Sequence, residues 1–391
     1  MPDVLPQQAL SKQAASFDYP HPFPLRNGSA LPGFTLAYET YGTLSPRRDN
    51  AVLVFHALTG SQNAAGFTES VQGVGTRWTR ECQTGWWDAF IGPGKPVDTE
   101  KLFVVCANYI GGCYGSSGPS STNPVTGKPF GASFPRITMP DIVDSQVLLL
   151  DHLGIDRLHA TIGASIGGML VLDLATRHPE RTRTVVPIAS GLHTSVLQRL
   201  LNFEQILAIE SDANFVGGDY YLRPPDKHPS HGLALARMIS HKTFIHLDTL
   251  ERRARTDIHP PDPESAVSWY PLSLPIESYM LYQGEKFARR FDANTYLRIV
   301  DAWQHFDLLQ AAGKPDLREL FAPCRHQDYL IFSIDSDVCF YPDAQAELKA
   351  ALDDAGVSAD HATVHSLKGH DSFLLEPDLY TPALSSKLAV P

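Results

Sequence analysis

Six residues, Gly163-Ala164-Ser165-Ile166-Gly167-Gly168, constrain this chain more than any other stretch. They follow an apolar run, Leu158 to Ile162, and lead into a helix-like run, Met169 to Thr176. A buried strand, a sharp turn and a helix around Gly-x-Ser-x-Gly describe a nucleophile elbow. A serine hydroxyl is a poor nucleophile until a base takes its proton. A strained turn at Ser165 would expose its oxygen. Glycines at 163 and 167 would let neighbouring backbone pack closely, because they carry no Cβ. The N–H of Ile166 would then fall at a helix N-terminus, where it can stabilise an oxyanion. The competing reading is an ordinary Gly-rich strand–helix turn, and the rest of the chain must separate the two.

The surrounding pattern is that of an α/β protein. Continuous apolar runs at Ala51 to His56, Leu102 to Cys106, Leu158 to Ile162, Thr184 to Ala189 and Tyr329 to Ile334 read as strands buried on both faces. Leu36 to Tyr41 alternates as a strand, and Ala362 to Leu367 reads as the last one. Helical patterns separate them. One starts at Thr138-Met139-Pro140 and stops at Gly154; another runs from Pro342 to Ala355 and stops at Gly356. Alternation of this kind implies parallel βαβ units and a sheet covered on both faces. Residues 1–18 read as a poorly ordered lead-in.

From about Gly191 to Leu309 the texture changes. Helical patterns cover Val196 to Ile209, Gly232 to Leu250, Glu277 to Arg290 and Ala293 to Leu309, with a Pro- and Asp-rich connection from Arg255 to Pro271. The expected division is a core of residues 1–190 and 311–391 with a helical lid of residues 191–310. An insertion at the carboxyl ends of the strands would cover a site there. The long Gly-, Ser- and Pro-rich stretch from Asn108 to Pro135 reads as a functional loop. It lacks the lysine and following helix of a phosphate-binding loop. The pair Trp86-Trp87 fits a pocket lining or a core plug equally well.

Composition narrows the function classes. A net charge of -11 argues against general binding to nucleic acid or anionic membrane. No run approaches the ~20 apolar residues of a membrane span. Met1 to Phe17 shows no basic-then-apolar leader pattern. Five cysteines without a Cys-x-x-Cys pair fit a reduced, cytoplasmic chain with buried thiols and no metal, although Cys106 and Cys113 are the two that a metal could use.

A serine nucleophile needs a base and an acid to orient it, in the chain order Ser, Asp or Glu, His for this architecture. Asp337 lies just past a predicted strand, and His370 just past the last one. Both would therefore share a sheet edge with Ser165. Asp335 competes with Asp337. His361 and His365 sit in or at the last strand rather than after it.

Several further runs carry a resemblance. They include Ala37 to Thr43, His56-Ala57-Leu58-Thr59-Gly60, Gly85-Trp86-Trp87-Asp88, Gly217 to Tyr221, Gly232 to Ile239, Tyr282-Gln283-Gly284, Arg290 to Asn294 and Gly369-His370-Asp371. With these, the chain from about Leu36 onward resembles the homoserine O-acyltransferase family of the α/β-hydrolase superfamily. The resemblance implies an α/β-hydrolase fold with a helical lid and a ping-pong transfer from acetyl-CoA to L-homoserine, through an acyl-Ser165, in methionine biosynthesis. It implies oxyanion donors at Leu58 and Ile166, a substrate carboxylate on Arg237 and a substrate ammonium on Asp371. It also implies a homodimer through the lid helices, and no cofactor beyond the acyl-CoA co-substrate. The chain departs from the family pattern at Ala164 and Ile166, where the elbow usually has Gly and Met, and at Phe244, often a tyrosine. The segments Asp337 to Pro342 and 61–84 are longer than usual. Succinyl-CoA as donor, L-serine as acceptor, a serine esterase and a non-catalytic binding protein are the alternatives.

Overall fold

The computed structural model describes residues 10–253, 267 and 269–389 of the chain. Its centre is an eight-stranded sheet. In chain order the strands are β1 (Lys12–Tyr19), β2 (Phe34–Tyr41), β3 (Ala51–Phe55), β4 (Phe103–Ala107), β5 (Leu158–Ala164), β6 (Thr182–Ile188), β7 (Asp328–Ile334) and β8 (Ser358–Val364). Their spatial order is β1-β2-β4-β3-β5-β6-β7-β8. The β1–β2 and β2–β4 pairs are antiparallel, and every other pair is parallel.

The apolar runs form strands because both sheet faces are covered. Along β3, Leu53 and Phe55 join one apolar core while Val52 and Val54 join a second. Successive side chains on a strand face opposite sides, so a strand between two cores has to be apolar throughout. One face is covered by α1 (Met139–His152) and α2 (Ile166–Arg177), which contribute Ile142, Leu149, Leu170 and Leu174. The helix α1 starts on a capping box in which the Thr138 hydroxyl accepts the Asp141 N–H.

Between β6 and β7 the described residues form helices and turns. The helices include α3 (Val196–Glu210), α4 (Ser230–Phe244), α5 (Leu247–Arg253), α6 (Pro275–Arg290), α7 (Ala293–Gln304) and α8 (Leu308–Ala312), and a short helix, Leu317–Phe321, follows. Glycines let α4 nest closely between its neighbours. A Cβ at Gly232 would lie 2.6 Å from the Ala208 carbonyl on α3, and one at Gly284 on α6 would lie 2.7 Å from the Ala234 carbonyl on α4. After β7 come α9 (Pro342–Ala355), β8 and, past the His370 turn, α10 (Pro377–Lys387), which adds Tyr380 and Leu384 to the second core.

Four expectations need correction. Residues 12–19 are not an unstructured lead-in but an edge strand. Only Phe17 of that strand is buried, so its sequence carries no strand pattern and its pairing with β2 decides. The helix expected from Gly232 to Leu250 is two helices broken at Ile245-His246, where the backbone packs on Gly369. The helix expected from Ala293 to Leu309 also breaks, because Thr194 donates to the Phe306 carbonyl, Leu308 donates to the Leu192 carbonyl and Asp307 caps α8. The last strand ends at Val364 rather than Leu367 and starts earlier, at Ser358. The connection expected from Arg255 to Pro271 falls largely outside the described residues.

Candidate active site

Parallel strands put their carboxyl ends on one edge, and the candidate residues follow those ends. Ser165 directly follows β5, Asp337 follows β7, His370 follows β8 and Leu58 follows β3. Ser165 holds φ 60° and ψ -129° and is the residue from which α2 starts. A non-glycine residue there is strained by roughly 1–3 kcal/mol and persists only when its surroundings dictate it. The surroundings are backbone. A Cβ at Gly163 would meet the Gly167 carbonyl at 2.3 Å, and one at Gly167 would meet the Phe55 carbonyl at 2.5 Å. The Ser165 N–H donates to the Ile188 carbonyl at 3.0 Å, and the Ser190 hydroxyl donates to the Ser165 carbonyl at 2.8 Å. Ile166 is the first residue of α2, so its N–H has no intrahelical acceptor.

His370 is buried, with Nδ1 2.6 Å from Oδ2 of Asp337. The other carboxylate oxygen of Asp337 accepts the N–H groups of Cys339 at 2.7 Å and Phe340 at 2.9 Å. This locks the carboxylate and commits Nδ1 to carry the proton. Nε2 is buried and has no hydrogen-bond partner among the described residues. The ring is held by Phe340, stacked at 5.5 Å, and by Phe373, edge-on at 5.2 Å. Asp335 instead pairs with the exposed His365 at 2.8 Å. His361 contacts Ser333 inside the sheet. Neither approaches the role that Asp337 and His370 fit.

Ser165, His370, Leu58, Arg237 and Asp371 all line one cavity of about 400 Å³. Arg237 sits on α4 with its guanidinium 5.1 Å from the Phe244 ring centre and 5.2 Å from that of Phe287. Burial and the neighbouring Arg290 lower its pKa, while Asp371 acts in the opposite sense. The tryptophan pair divides its tasks. Trp87 is core, with its N–H on the Phe373 carbonyl, and Trp86 lines the cavity with its N–H on the Ser61 carbonyl. From the Gly- and Ser-rich loop, Tyr114 reaches the cavity. Four cysteines are buried, and the fifth, Cys82, lines the cavity.

The model for the alpha/beta hydrolase fold matches residues 50–377. A homoserine O-succinyltransferase of Bordetella pertussis is 41% identical over 363 residues, spanning 93% of this chain and 84% of its own. A homoserine O-acetyltransferase of Solidesulfovibrio magneticus is 41% identical over 355 residues, spanning 90% of this chain and 86% of its own. The chain belongs to the homoserine O-acyltransferase family of the α/β-hydrolase fold. Among solved structures, esterase E22 superposes with a TM-score of 0.84 at 24% identity, over 97% of this chain and all of that one, a likeness of fold.

Arg290 at the end of α6 also lines this cavity; in the sequence it enters only as the first residue of the run Arg290 to Asn294, without a role of its own. An arginine in the last turn of a helix reads as a partner of the helix dipole. Only the tertiary fold brings it onto the loop after β3.

Proposed function

We propose that this protein transfers an acyl group from acyl-CoA to the side-chain hydroxyl of L-homoserine, in methionine biosynthesis, through an acyl-Ser165 intermediate. The observation that carries this reading is the shared cavity. It brings together Ser165 and His370, the latter paired with Asp337, with a partly buried arginine and a carboxylate, Arg237 and Asp371. That pair complements the carboxylate and ammonium of an amino acid and has no use in a generic esterase.

In the first half-reaction His370 Nε2 takes the Ser165 proton as the hydroxyl oxygen attacks the thioester carbonyl. The N–H groups of Leu58 and Ile166 receive the oxyanion. Collapse breaks the C–S bond, and His370 returns the proton to the leaving CoA thiolate. In the second half-reaction the homoserine hydroxyl attacks the acyl-serine, His370 takes its proton, and collapse releases Ser165, which recovers that proton. Asp337 keeps the imidazole oriented throughout and stabilises its charged form. Helices of residues 191–310 act as a lid over the core of residues 1–190 and 311–391. By excluding water they favour transfer over hydrolysis.

Acetyl-CoA is the proposed donor. Succinyl-CoA is the alternative, because equally similar relatives bear both names. L-Serine as acceptor is the remaining variant on this scaffold. The test is incubation with acetyl-CoA or succinyl-CoA, then mass analysis of the Ser165 peptide. An acyl adduct, with CoA released and O-acylhomoserine formed on adding homoserine, is the expected result. No adduct from either donor, together with CoA-independent ester cleavage, would leave the esterase reading. Ser165→Ala should abolish turnover.

No helix among the described residues is long and apolar enough to cross a membrane. A cytoplasmic homodimer through the lid helices completes the proposal. One face of α3 presents Val196, Leu200, Phe203 and Leu207, each more than half exposed, at helical spacing.

A further inference from the structure

We infer that Arg290, a lid-helix residue, is a positioning residue for the oxyanion hole and strengthens the Leu58 donor through two peptide units. The inference rests on Leu58 serving as an oxyanion donor, as proposed above.

The turn from Ala57 to Gly60 is bonded at its first and last peptides. Arg290 Nη1 donates to the Thr59 carbonyl at 3.2 Å. The next N–H along that peptide, from Gly60, donates to the Ala57 carbonyl at 3.0 Å. The Ala57 carbonyl and the Leu58 N–H belong to one planar peptide. The path therefore runs from guanidinium to Thr59 carbonyl, through the peptide to Gly60 N–H, to Ala57 carbonyl, and through the second peptide to Leu58 N–H. Hydrogen bonds in such chains polarise one another, and the effect is largest away from water. A cation at the head makes the terminal N–H a better donor to negative charge.

The geometry is anchored at both ends. His56 Nδ1 lies 2.7 Å from the same Ala57 carbonyl, and the Tyr109 hydroxyl donates to the His56 carbonyl. The guanidinium also donates to the Tyr114 hydroxyl at 3.2 Å, and that hydroxyl donates back to the Arg290 carbonyl at 2.7 Å. It lies over the Phe287 ring at 5.1 Å. The side chain is 16% exposed, with Glu81 3.9 Å away. Because α6 lies between β6 and β7 in the chain, this contact ties the proposed lid to the core at the oxyanion turn. Docking of the lid would then complete the hole.

The test is steady-state kinetics of the full chain with each acyl-CoA and L-homoserine, alongside the rate of Ser165 acylation by p-nitrophenyl acetate. That ester needs the oxyanion hole whatever the natural donor is. Arg290→Met should lower kcat and the acylation rate about 10- to 100-fold, less than the loss typical of deleting a donor outright. KM for both substrates should stay within about threefold. Arg290→Lys should restore most of the rate. Tyr114→Phe, which removes one anchor of the guanidinium, should lower kcat by a smaller factor, and it carries the test with Arg290→Lys if Arg290→Met does not fold. Wild-type kcat in Arg290→Met, or in Tyr114→Phe where Arg290→Met does not fold, overturns the inference. A rise in KM alone also overturns it, in favour of direct substrate binding by Arg290. Should the wild type form no acyl-serine from either acyl-CoA, the transferase reading fails on its own. The ester acylation rates still decide the role of Arg290.

Discussion

At the scale of single residues, what distinguishes this site is that His370 has one ring nitrogen committed and one open, while the Asp337 beside it is committed at both oxygens. His370 has Nδ1 on Asp337 and leaves Nε2 buried without a partner. Asp337 has one oxygen on His370 and the other on two backbone N–H groups. Asp337→Asn would keep the shape but favour the wrong imidazole tautomer. It should reduce kcat on the order of 10³- to 10⁴-fold. Asp335→Asn, altering the exposed pair with His365 and the contact with the Ser366 N–H, should leave kcat within about twofold. Equal losses in the two variants, measured as kcat with homoserine saturating, would reverse the assignment. The residue order along the chain already made Asp337 and His370 legible. The choice over Asp335 needed the fold, because two aspartates two residues apart both follow the same strand end.

At the scale of elements, the turn after β3 is held by side chains from distant segments, Tyr109 and Arg290. His56 is buried against Tyr109, with ring centres 3.7 Å apart. Burial pushes its pKa down from 6.5 to about 4, so it is neutral at physiological pH. The unfolded chain takes up this proton near pH 6.5 and the folded chain only near pH 4. Within that window the unfolded state binds more protons, and stability falls as pH is lowered. Over the whole window the effect amounts to about 3 kcal/mol. His56→Asn retains a donor near the Nδ1 position without titrating. Denaturant unfolding of wild type and His56→Asn from pH 7 to pH 4 should show a shallower decline in the variant. Parallel declines would mean other groups set the slope. Apart from β1, the strands of the central sheet and the helices α1 and α9 were readable from apolar runs and caps. The breaks at Ile245 and His305 to Asp307 were not, since backbone from distant segments causes them.

At the scale of the whole molecule, the helices between β6 and β7 supply Arg237, Phe244 and Arg290 to the cavity that holds Ser165 and His370, the proposed nucleophile and base, which follow strand ends. Closure of such a cavity around an acyl-serine decides between transfer and hydrolysis. The exposed apolar stripe on α3 fits burial against a second copy of the chain. Light scattering after size exclusion should return twice the 43.0 kDa chain mass. Leu200→Glu with Phe203→Glu should shift the protein towards monomer, because two desolvated charges per copy would oppose that contact. A wild-type monomer at micromolar concentration would remove the dimer from the proposal.

The order of apolar strands, the elbow around Ser165 and the placement of Asp337 and His370 after strand ends follow from the sequence alone. Each depends on short-range patterns of side-chain type, spacing and backbone freedom. The family resemblance added Arg237, Asp371 and Leu58 as expectations. The tertiary structure alone decided three further points. Residues 12–19 form a strand although their pattern is polar, because an edge partner was available. Trp86 and Trp87 part between cavity and core. Arg290 reaches the Thr59 carbonyl across 231 residues of chain. Contacts between segments so far apart leave no local periodicity, so no window of sequence can report them.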